Sequence, residues 1–209
     1  MMGMIMHFPF AKKSLGQNFL TSTKALDDIL LAAEVRAGDE VLEIGPGRGV
    51  LTKELLKKGA KVTAIEKDCV LVGILREMFE LEIKEGRLEV IEADVLEFDL
   101  VHYVTTIGTP YKLIANIPYY ITGQIFRMFL EGNTSTMGTI VEQPVSMTIL
   151  VQKEVADRVI ARDGKESILS MSVKAYGKPR RVAIVKSGSF SPAPNVDSAI
   201  LHISNISKH

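Results

Sequence analysis

The sequence has little cysteine: Cys69 is the only one among 209 residues. A single cysteine excludes an internal disulfide framework and fits a reducing compartment, so we expect a cytoplasmic protein. The four histidines are scattered, at His7, His102, His202 and His209. Their positions lack the HxxxH or CxxC spacing that is typical of zinc sites. The sequence therefore predicts neither structural disulfides nor a bound metal.

The sequence also lacks an excess of charge and a long apolar run. Its 25 Lys and Arg balance 25 Asp and Glu, so any nucleic-acid site must come from local clusters of charge. No stretch approaches the roughly 18 apolar residues of a membrane span. The apolar opening, residues 1–10, lacks the basic start and the cleavage site of a secretory signal. With no linker, repeat or low-complexity segment, the chain is expected to form one globular domain with no membrane partner.

Short apolar strands alternate with amphipathic helices along most of the chain. Strands are predicted at 41–44, 61–65, 88–91, 111–115 and 147–151, and helices at 50–58, 71–79 and 153–161. An earlier helix should begin after a cap at Thr21 or Ser22, and residues 167–176 are ambiguous. The strands at 182–185 and 199–203 resemble a closing antiparallel pair. The alternation predicts an α/β fold with a parallel sheet and helices on both faces.

Glycines and carboxylates follow the first three predicted strands. Gly45-Pro46-Gly47-Arg48-Gly49 comes after the first, Glu66 after the second and Asp94 after the third. Ligands bind at this edge of an open α/β sheet. The glycine loop lets an anionic group approach the backbone and a helix N-terminus, Glu66 is placed to bind a ribose diol, and Asp94 an adenine amine. Singly, each residue also fits a plain turn or helix cap; together they predict a nucleoside site.

The fourth strand ends in Asn116-Ile117-Pro118-Tyr119. Because Pro118 cannot continue the strand, a carboxamide, a prolyl carbonyl and an aromatic ring leave the sheet together. Two acceptors and a stacking face suit a planar heterocycle with an exocyclic amine. The glycine spacing, GxGxG rather than GxGxxG, disfavours NAD and FAD. It favours a nucleoside with a carboxylate tail, such as S-adenosylmethionine.

Together with residues 12–20, 43–49, 151–158 and 190–198, these motifs make the sequence resemble the ribosomal RNA adenine N6-dimethyltransferase family. The resemblance covers nearly the whole chain and is closest to the KsgA-type small-subunit enzymes. It implies a class I (Rossmann-like) methyltransferase fold, with a seven-stranded, mostly parallel sheet and an antiparallel closing strand. It also implies S-adenosylmethionine as the methyl donor and small-subunit ribosomal RNA as the substrate during ribosome biogenesis. The product would be N6,N6-dimethyladenosine, at two adjacent adenosines.

The resemblance implies a role for each matching residue. The predicted donor-binding residues are Asn18, Leu20, Gly45, Gly47, Glu66, Asp94, Val95 and Asn116. For catalysis, the Asn116 oxygen and the Pro118 carbonyl would accept the two N–H bonds of the target amine. The base would stack between Tyr119 and Phe190. No general base is needed, because the methylated amine becomes acidic and loses its proton afterwards.

Two basic clusters are candidates for RNA binding. Lys12 and Lys13 form the first, and Lys178, Arg180 and Arg181 belong to a stretch, 167–196, that contains no acidic residue. Charge runs are usually solvated faces. Because the Asn116–Tyr119 motif is present in the same chain, we expect both clusters to flank the pocket. They would bind phosphates of an RNA whose target base has left its stack.

Several alternatives remain open at the level of the sequence. An Erm-type enzyme acting on large-subunit RNA shares the donor-binding residues, and a ribosome-assembly factor or a DNA adenine methyltransferase would share the fold. The expected organisation is a single monomeric domain over residues 1–209, with residues 1–38 covering the donor site. The helical C-terminal domain that is usual in the family is expected to be absent.

Overall fold

The computed structural model describes residues 9–12, 15–100, 110–131, 143–161 and 165–207. The strands are β1 (Phe19–Leu20), β2 (Glu40–Ile44), β3 (Lys61–Glu66), β4 (Leu88–Glu92), β5 (Tyr111–Asn116), β6 (Ser146–Gln152), β7 (Lys178–Val185), β8 (Phe190–Ser191) and β9 (Ser198–Ser204). The helices are α1 (Thr23–Ala33), α2 (Val50–Lys57), α3 (Cys69–Met78), α4 (Glu80–Lys84), α5 (Thr122–Phe126), α6 (Lys153–Ile160) and α7 (Ile168–Tyr176). A π-helical turn, Arg127–Glu131, extends α5.

Seven strands form one sheet in the order β4-β3-β2-β5-β6-β9-β7. The first five are parallel, and β9 runs antiparallel to both β6 and β7. The predicted mostly parallel sheet with an antiparallel closing strand is confirmed. The chain moves outward through β3 and β4, then returns to add β5 on the other side of β2. This switch in strand order leaves a crevice beyond the carboxyl ends of β2 and β5.

The central strands are buried on both faces, so they are apolar almost throughout. On one face Leu42, Leu113 and Met147 pack with α5 and α7. On the other face, the side chains that alternate with these along the strands, such as Val41 and Ile114, pack with α1, α2 and α3. Because both faces are covered, the exposed strand ends become the natural place for a ligand.

Side-chain caps fix the helix starts near the sheet edge. Ser22 Oγ accepts a hydrogen bond from Ala25 N at 3.2 Å, so the predicted cap of the first helix is confirmed. Ser167 caps α7 in the same way, through Ser170 N. The ambiguous stretch 167–176 is therefore helical, since its apolar spacing is joined by a cap.

Two absences hold within the described ranges. None of their helices is long and apolar enough to cross a membrane. They contain no group of three or more His, Cys, Asp or Glu side chains that could hold a metal ion.

Candidate functional site

A cleft lies beyond the carboxyl ends of β2, β3, β4 and β5. Its walls include these residues from the predicted site: Asn18, Gly45, Gly47, Glu66, Asp94, Val95, Asn116, Pro118 and Tyr119. Strand direction explains the convergence, because parallel neighbours deliver their following loops to the same edge. Residues 15–19, which lead into β1, form a further wall.

The glycine loop packs directly on the end of β5. Gly45 has φ +71°, and a Cβ built there would lie 2.8 Å from the Asn116 carbonyl oxygen. A Cβ at Gly47, where φ is +57°, would lie 3.0 Å from the Phe19 ring. Both positions therefore require glycine, for the backbone conformation and for space. The loop is thereby held against Asn116 on one side and residues 15–19 on the other.

Glu66 ties the glycine loop to the end of β3. Its Oε2 accepts from Gly47 N at 3.1 Å, and its Oε1 accepts from Asp68 N at 3.0 Å. Burial raises the pKa of Glu66, and these backbone hydrogen bonds offset only part of the rise. Each oxygen keeps a further lone pair. Glu66 can thus hold the loop and accept from a ligand diol at the same time.

Asp94 lines the cleft just after β4, the neighbour of β3, and has two partners. Lys67 Nζ lies 2.6 Å from its Oδ2, and Leu96 N donates to its Oδ1 at 3.0 Å. Partial burial by itself raises the pKa of Asp94, but the hydrogen bonds outweigh it and hold the pKa below its ordinary value. Asp94 therefore stays ionised near neutral pH and can act as an acceptor in the cleft.

The Asn116–Tyr119 corner turns out of the sheet as expected. Pro118 has an extended backbone, and its carbonyl accepts Ile121 N at 3.2 Å, which starts a short 3₁₀ turn. The Tyr119 hydroxyl lies 2.6 Å from Ser198 Oγ, at the start of β9. Burial raises the pKa of Tyr119, although the Ser198 hydrogen bond lowers it in part. A neutral aromatic ring and two acceptors thus occupy one corner of the cleft.

Two predicted site residues do not line this cleft. Phe190 is 5% exposed and packs in the core, because β8 pairs with β1 and places Phe190 opposite Leu20. Leu20 lines a small cavity behind the glycine loop. A stacking role for Phe190 stays a prediction, and it requires the ring to leave the core.

The predicted phosphate-binding residues also lie outside the cleft wall. Lys178 and Arg180 are in the first half of β7, the outer strand, with β9 and β6 between it and β5. Arg181 pairs with Asp157 on α6. Lys12 pairs with Asp68 at 2.8 Å. Lys13 lies outside the described residues.

Three residues near the cleft were not predicted: Glu43, Asp68 and Ser198. Glu43 is 1% exposed beside a cavity of about 30 Å³, enough for one water. Among the described residues its Oε2 has no hydrogen-bond partner. Burial and the negative charge of Glu66 raise the pKa of Glu43 to about 8. A carboxylate inside an otherwise apolar strand was the available sequence signal for Glu43. Ser198 is the last residue of the motif 190–198, and Asp68 had no signal beyond its place two residues after Glu66.

The chain is similar to proteins of known family along nearly its whole length. The sequence model of the family "Ribosomal RNA adenine dimethylase" matches residues 10–209. A protein of Dehalococcoides mccartyi named "Ribosomal RNA small subunit methyltransferase A" is 42% identical over 193 residues. The match covers 92% of this chain and 62% of that relative. A protein of the same name from Clostridioides difficile is 40% identical, with 97% of this chain and 68% of the relative covered.

Two solved structures at 30% identity show the same fold. A dimethyladenosine transferase from Plasmodium falciparum has a TM-score of 0.73, with 89% of this chain and 62% of that one covered. The 23S rRNA methyltransferase ErmE also has a TM-score of 0.73, with 91% and 71% covered. The predicted class I methyltransferase fold is confirmed by these neighbours and by the strand order. The chain belongs to the ribosomal RNA adenine dimethylase family.

Proposed function

We propose that this protein transfers methyl groups from S-adenosylmethionine to the N6 amine of adenosines in small-subunit ribosomal RNA, giving N6,N6-dimethyladenosine during ribosome biogenesis. One observation carries the proposal: a single cleft has the glycine loop and Glu66 on one side and the Asn116–Tyr119 corner on the other. The first set suits the methyl donor, and the second suits the amine that receives the methyl group.

The residues of the cleft fit S-adenosylmethionine. Gly45 and Gly47 line the cleft and carry no side chain, so a ligand can approach the loop backbone. Glu66 keeps acceptor capacity for a ribose diol, and Asp94, with the Val95 backbone, is suited to the adenine ring. Asn18 and Leu20 would act from the segment that crosses the cleft. When bound, the donor supplies an electrophilic methyl group on a sulfonium.

The receiving amine is the harder part of the chemistry. The lone pair of an adenine amine is delocalised into the ring, so the nitrogen is a weak nucleophile. If the Asn116 side-chain oxygen and the Pro118 carbonyl accept its N–H bonds, the nitrogen becomes pyramidal and its lone pair is directed at the methyl group. Pro118 O already accepts Ile121 N, and a carbonyl oxygen has a second lone pair for this purpose.

The transfer then requires no catalytic base. A bond forms between N6 and the methyl carbon, while the carbon–sulfur bond breaks and its electron pair stays on sulfur. The positively charged amine loses a proton to water. Stacking on Tyr119 would hold the base at attack distance. Positioning both reactants in this way can lower the barrier by about 7–11 kcal/mol in well-oriented systems.

The small-subunit substrate is favoured by the names of the curated relatives. ErmE, at the same identity and TM-score as the dimethyladenosine transferase, favours a second candidate that acts on large-subunit RNA. The two candidates share the donor side of the cleft and differ in the RNA that they accept.

A methyl-transfer assay separates the two candidates. The protein is incubated with tritiated S-adenosylmethionine and unmethylated small or large subunits, and the labelled nucleosides are identified. We expect label in small subunits as dimethyladenosine. Asn116→Ala should abolish the transfer, while the control Asn195→Ala, an exposed amide outside the cleft wall, should not. Label in large subunits would favour the Erm-type activity, and no label in either would refute the proposal.

A further inference from the structure

We infer that Asp68 is a positioning residue for the methyl donor: it fixes the cleft-covering segment, residues 15–20, through Gln17 and Lys12. The inference rests on the proposed function, because it concerns how the same cleft keeps its donor. It assigns Lys12 to donor retention rather than to RNA binding.

Asp68 is the centre of a closed hydrogen-bond network. Its side chain is 1% exposed, and its Oδ1 accepts from Lys12 Nζ at 2.8 Å. Gln17 Nε2 donates to Oδ2 at 3.0 Å. The Lys12 backbone N–H donates to Gln17 Oε1 at 2.8 Å, so the two partners of Asp68 also bind each other. Val70 N, in the first turn of α3, donates to Oδ1 at 3.1 Å.

The covering segment connects this network to the Asn116–Tyr119 corner. Residues 15–19 line the cleft. Gly16 packs so closely on the Asn116–Tyr119 corner that a Cβ there would lie 3.1 Å from Pro118 Cβ and 3.3 Å from the Tyr120 ring. Consecutive residues of the segment thus make the two contacts: Gln17 is held by Asp68, and Gly16 rests on the corner that is proposed to receive the target base.

Asp68 also connects the covering segment to the donor side of the cleft. Its backbone N–H donates to Glu66 Oε1, and the other Glu66 oxygen holds Gly47. A change at Asp68 therefore reaches Glu66 and the segment above it together. No contact of Asp68 with the donor itself is needed for this effect.

The buried charge of Asp68 explains why it needs these partners. Burial by itself raises the pKa of Asp68, but the hydrogen bonds from Lys12 and Gln17 outweigh it and keep the pKa below its ordinary value. The buried carboxylate is therefore ionised and depends on the ammonium of Lys12. The Lys12 side chain is 42% exposed, so substituting it leaves the core intact.

The experiment measures donor binding in two variants and one control. Asp68→Asn removes the charge but keeps a residue that caps α3 well; Lys12→Met removes the ammonium and keeps the stem. We expect both to raise the dissociation rate and Kd of S-adenosylmethionine about tenfold or more. Transfer at saturating donor should change much less. Asp28→Asn, which breaks an exposed ion pair with Lys24 on α1, should leave both constants unchanged.

Salt and RNA provide the deciding comparisons. Raising the salt concentration should speed donor dissociation from the wild type toward the rate of Lys12→Met, because the half-exposed ion pair is screened. RNA affinity should be unchanged in Lys12→Met. Wild-type donor constants in both variants, or a loss of RNA affinity in Lys12→Met with donor binding intact, would overturn the inference. If the wild type binds no donor at all, the proposed function itself fails.

Discussion

Tyr119, which follows β5, depends on a residue of β9, two strands away in the sheet. Its hydroxyl lies 2.6 Å from Ser198 Oγ, and Ser198 is fully buried. The hydrogen bond restricts rotation and tilt of the ring on which the target base is proposed to stack. Under the proposed function, base stacking at attack distance requires a ring that does not move, so this contact would belong to the catalytic geometry.

We predict that Ser198→Ala lowers methyl transfer about tenfold, because the half-buried Tyr119 hydroxyl loses its partner and the ring loses its fixed orientation. Donor Kd should stay at the wild-type value. Tyr119→Phe keeps the ring and removes the unsatisfied hydroxyl, so it should lose less activity than Ser198→Ala. Steady-state transfer rates and donor titrations of the three proteins provide the check; full activity in Ser198→Ala would show that the contact is dispensable.

Glu43 gives a second prediction at the scale of single residues. Its folded-state pKa of about 8 lies above the ordinary value of 4.5, so its contribution to stability is complete at low pH and is lost as pH rises toward 8. We expect wild-type stability to fall by up to about 1.4 kcal/mol per pH unit between pH 6.5 and 8. Glu43→Gln, which carries no titrating group, should flatten this dependence in urea unfolding experiments. Equal slopes in the two proteins would contradict the burial of an uncharged Glu43.

The predictable part of the site consists of residues whose position follows from a strand end. Glu66 and Asn116 were predicted because an apolar run fixes where each strand stops. Asp68 was not predicted, because Gln17 and Lys12, its partners in the covering segment, lie 51 and 56 positions away in sequence. Ser198 was not predicted either, because its partner Tyr119 lies 79 positions away. The burial of Phe190 likewise depends on pairing between two strands of two residues each, too short for a periodic pattern.

At the scale of the elements, strands were easier to predict than helix details. The buried parallel strands carry continuous apolar runs, and their positions agree with the predictions to within a residue or two. The predicted helix 71–79 corresponds to α3, which ends at Met78 because Phe79 leaves the helical conformation and its ring packs where Gly49 leaves space; the short helix α4 that follows was not predicted. This break depends on a tertiary contact, which helical spacing alone does not contain.

His202 links two of these strands and supports a prediction about acid stability. Its Nδ1 lies 2.9 Å from Thr148 Oγ1, which joins β9 to β6. Burial, assisted by the positive charge of Arg180, lowers the pKa of His202 to about 4. Because the unfolded chain binds a proton near pH 6.5, this stabilisation is complete above pH 6.5 and is lost as pH falls toward 4.

We therefore expect the stability advantage of the wild type over His202→Asn to shrink by about 1–2 kcal/mol between pH 6.5 and 4.5. Unfolding by urea across this range provides the measurement. Working with the difference between the two proteins removes contributions from other titrating groups, including Glu43. A difference that does not vary with pH would mean that His202 is not buried in its neutral form.

At the scale of the whole molecule, balanced charge leaves RNA binding to local surfaces. Several cations near the cleft or after β7 are paired with carboxylates: Lys12 with Asp68, Lys67 with Asp94 and Lys186 with Asp197. The first half of β7, with Lys178 and Arg180, lies at the outer side of the sheet. An RNA whose phosphates contact β7 must therefore approach the cleft from the β7 side of the sheet.

We predict that the double variant Arg180→Glu and Arg181→Glu weakens RNA binding and flattens its salt dependence, because phosphate contacts are lost. Donor affinity should not change, since both residues lie outside the cleft wall. Asp157→Asn is a matched control that removes the partner of Arg181 and should not weaken RNA binding. Filter binding at several salt concentrations would show the effect, and unchanged affinity would exclude β7 from the RNA surface.

The position of the methyl donor is the most direct test of the site. We propose determining a crystal structure of the protein soaked with S-adenosylmethionine. The donor should lie between the glycine loop and the Asn116–Tyr119 corner, with its ribose at Glu66 and its methyl group facing Asn116. Well-defined donor density anywhere else on the protein would contradict the proposed site.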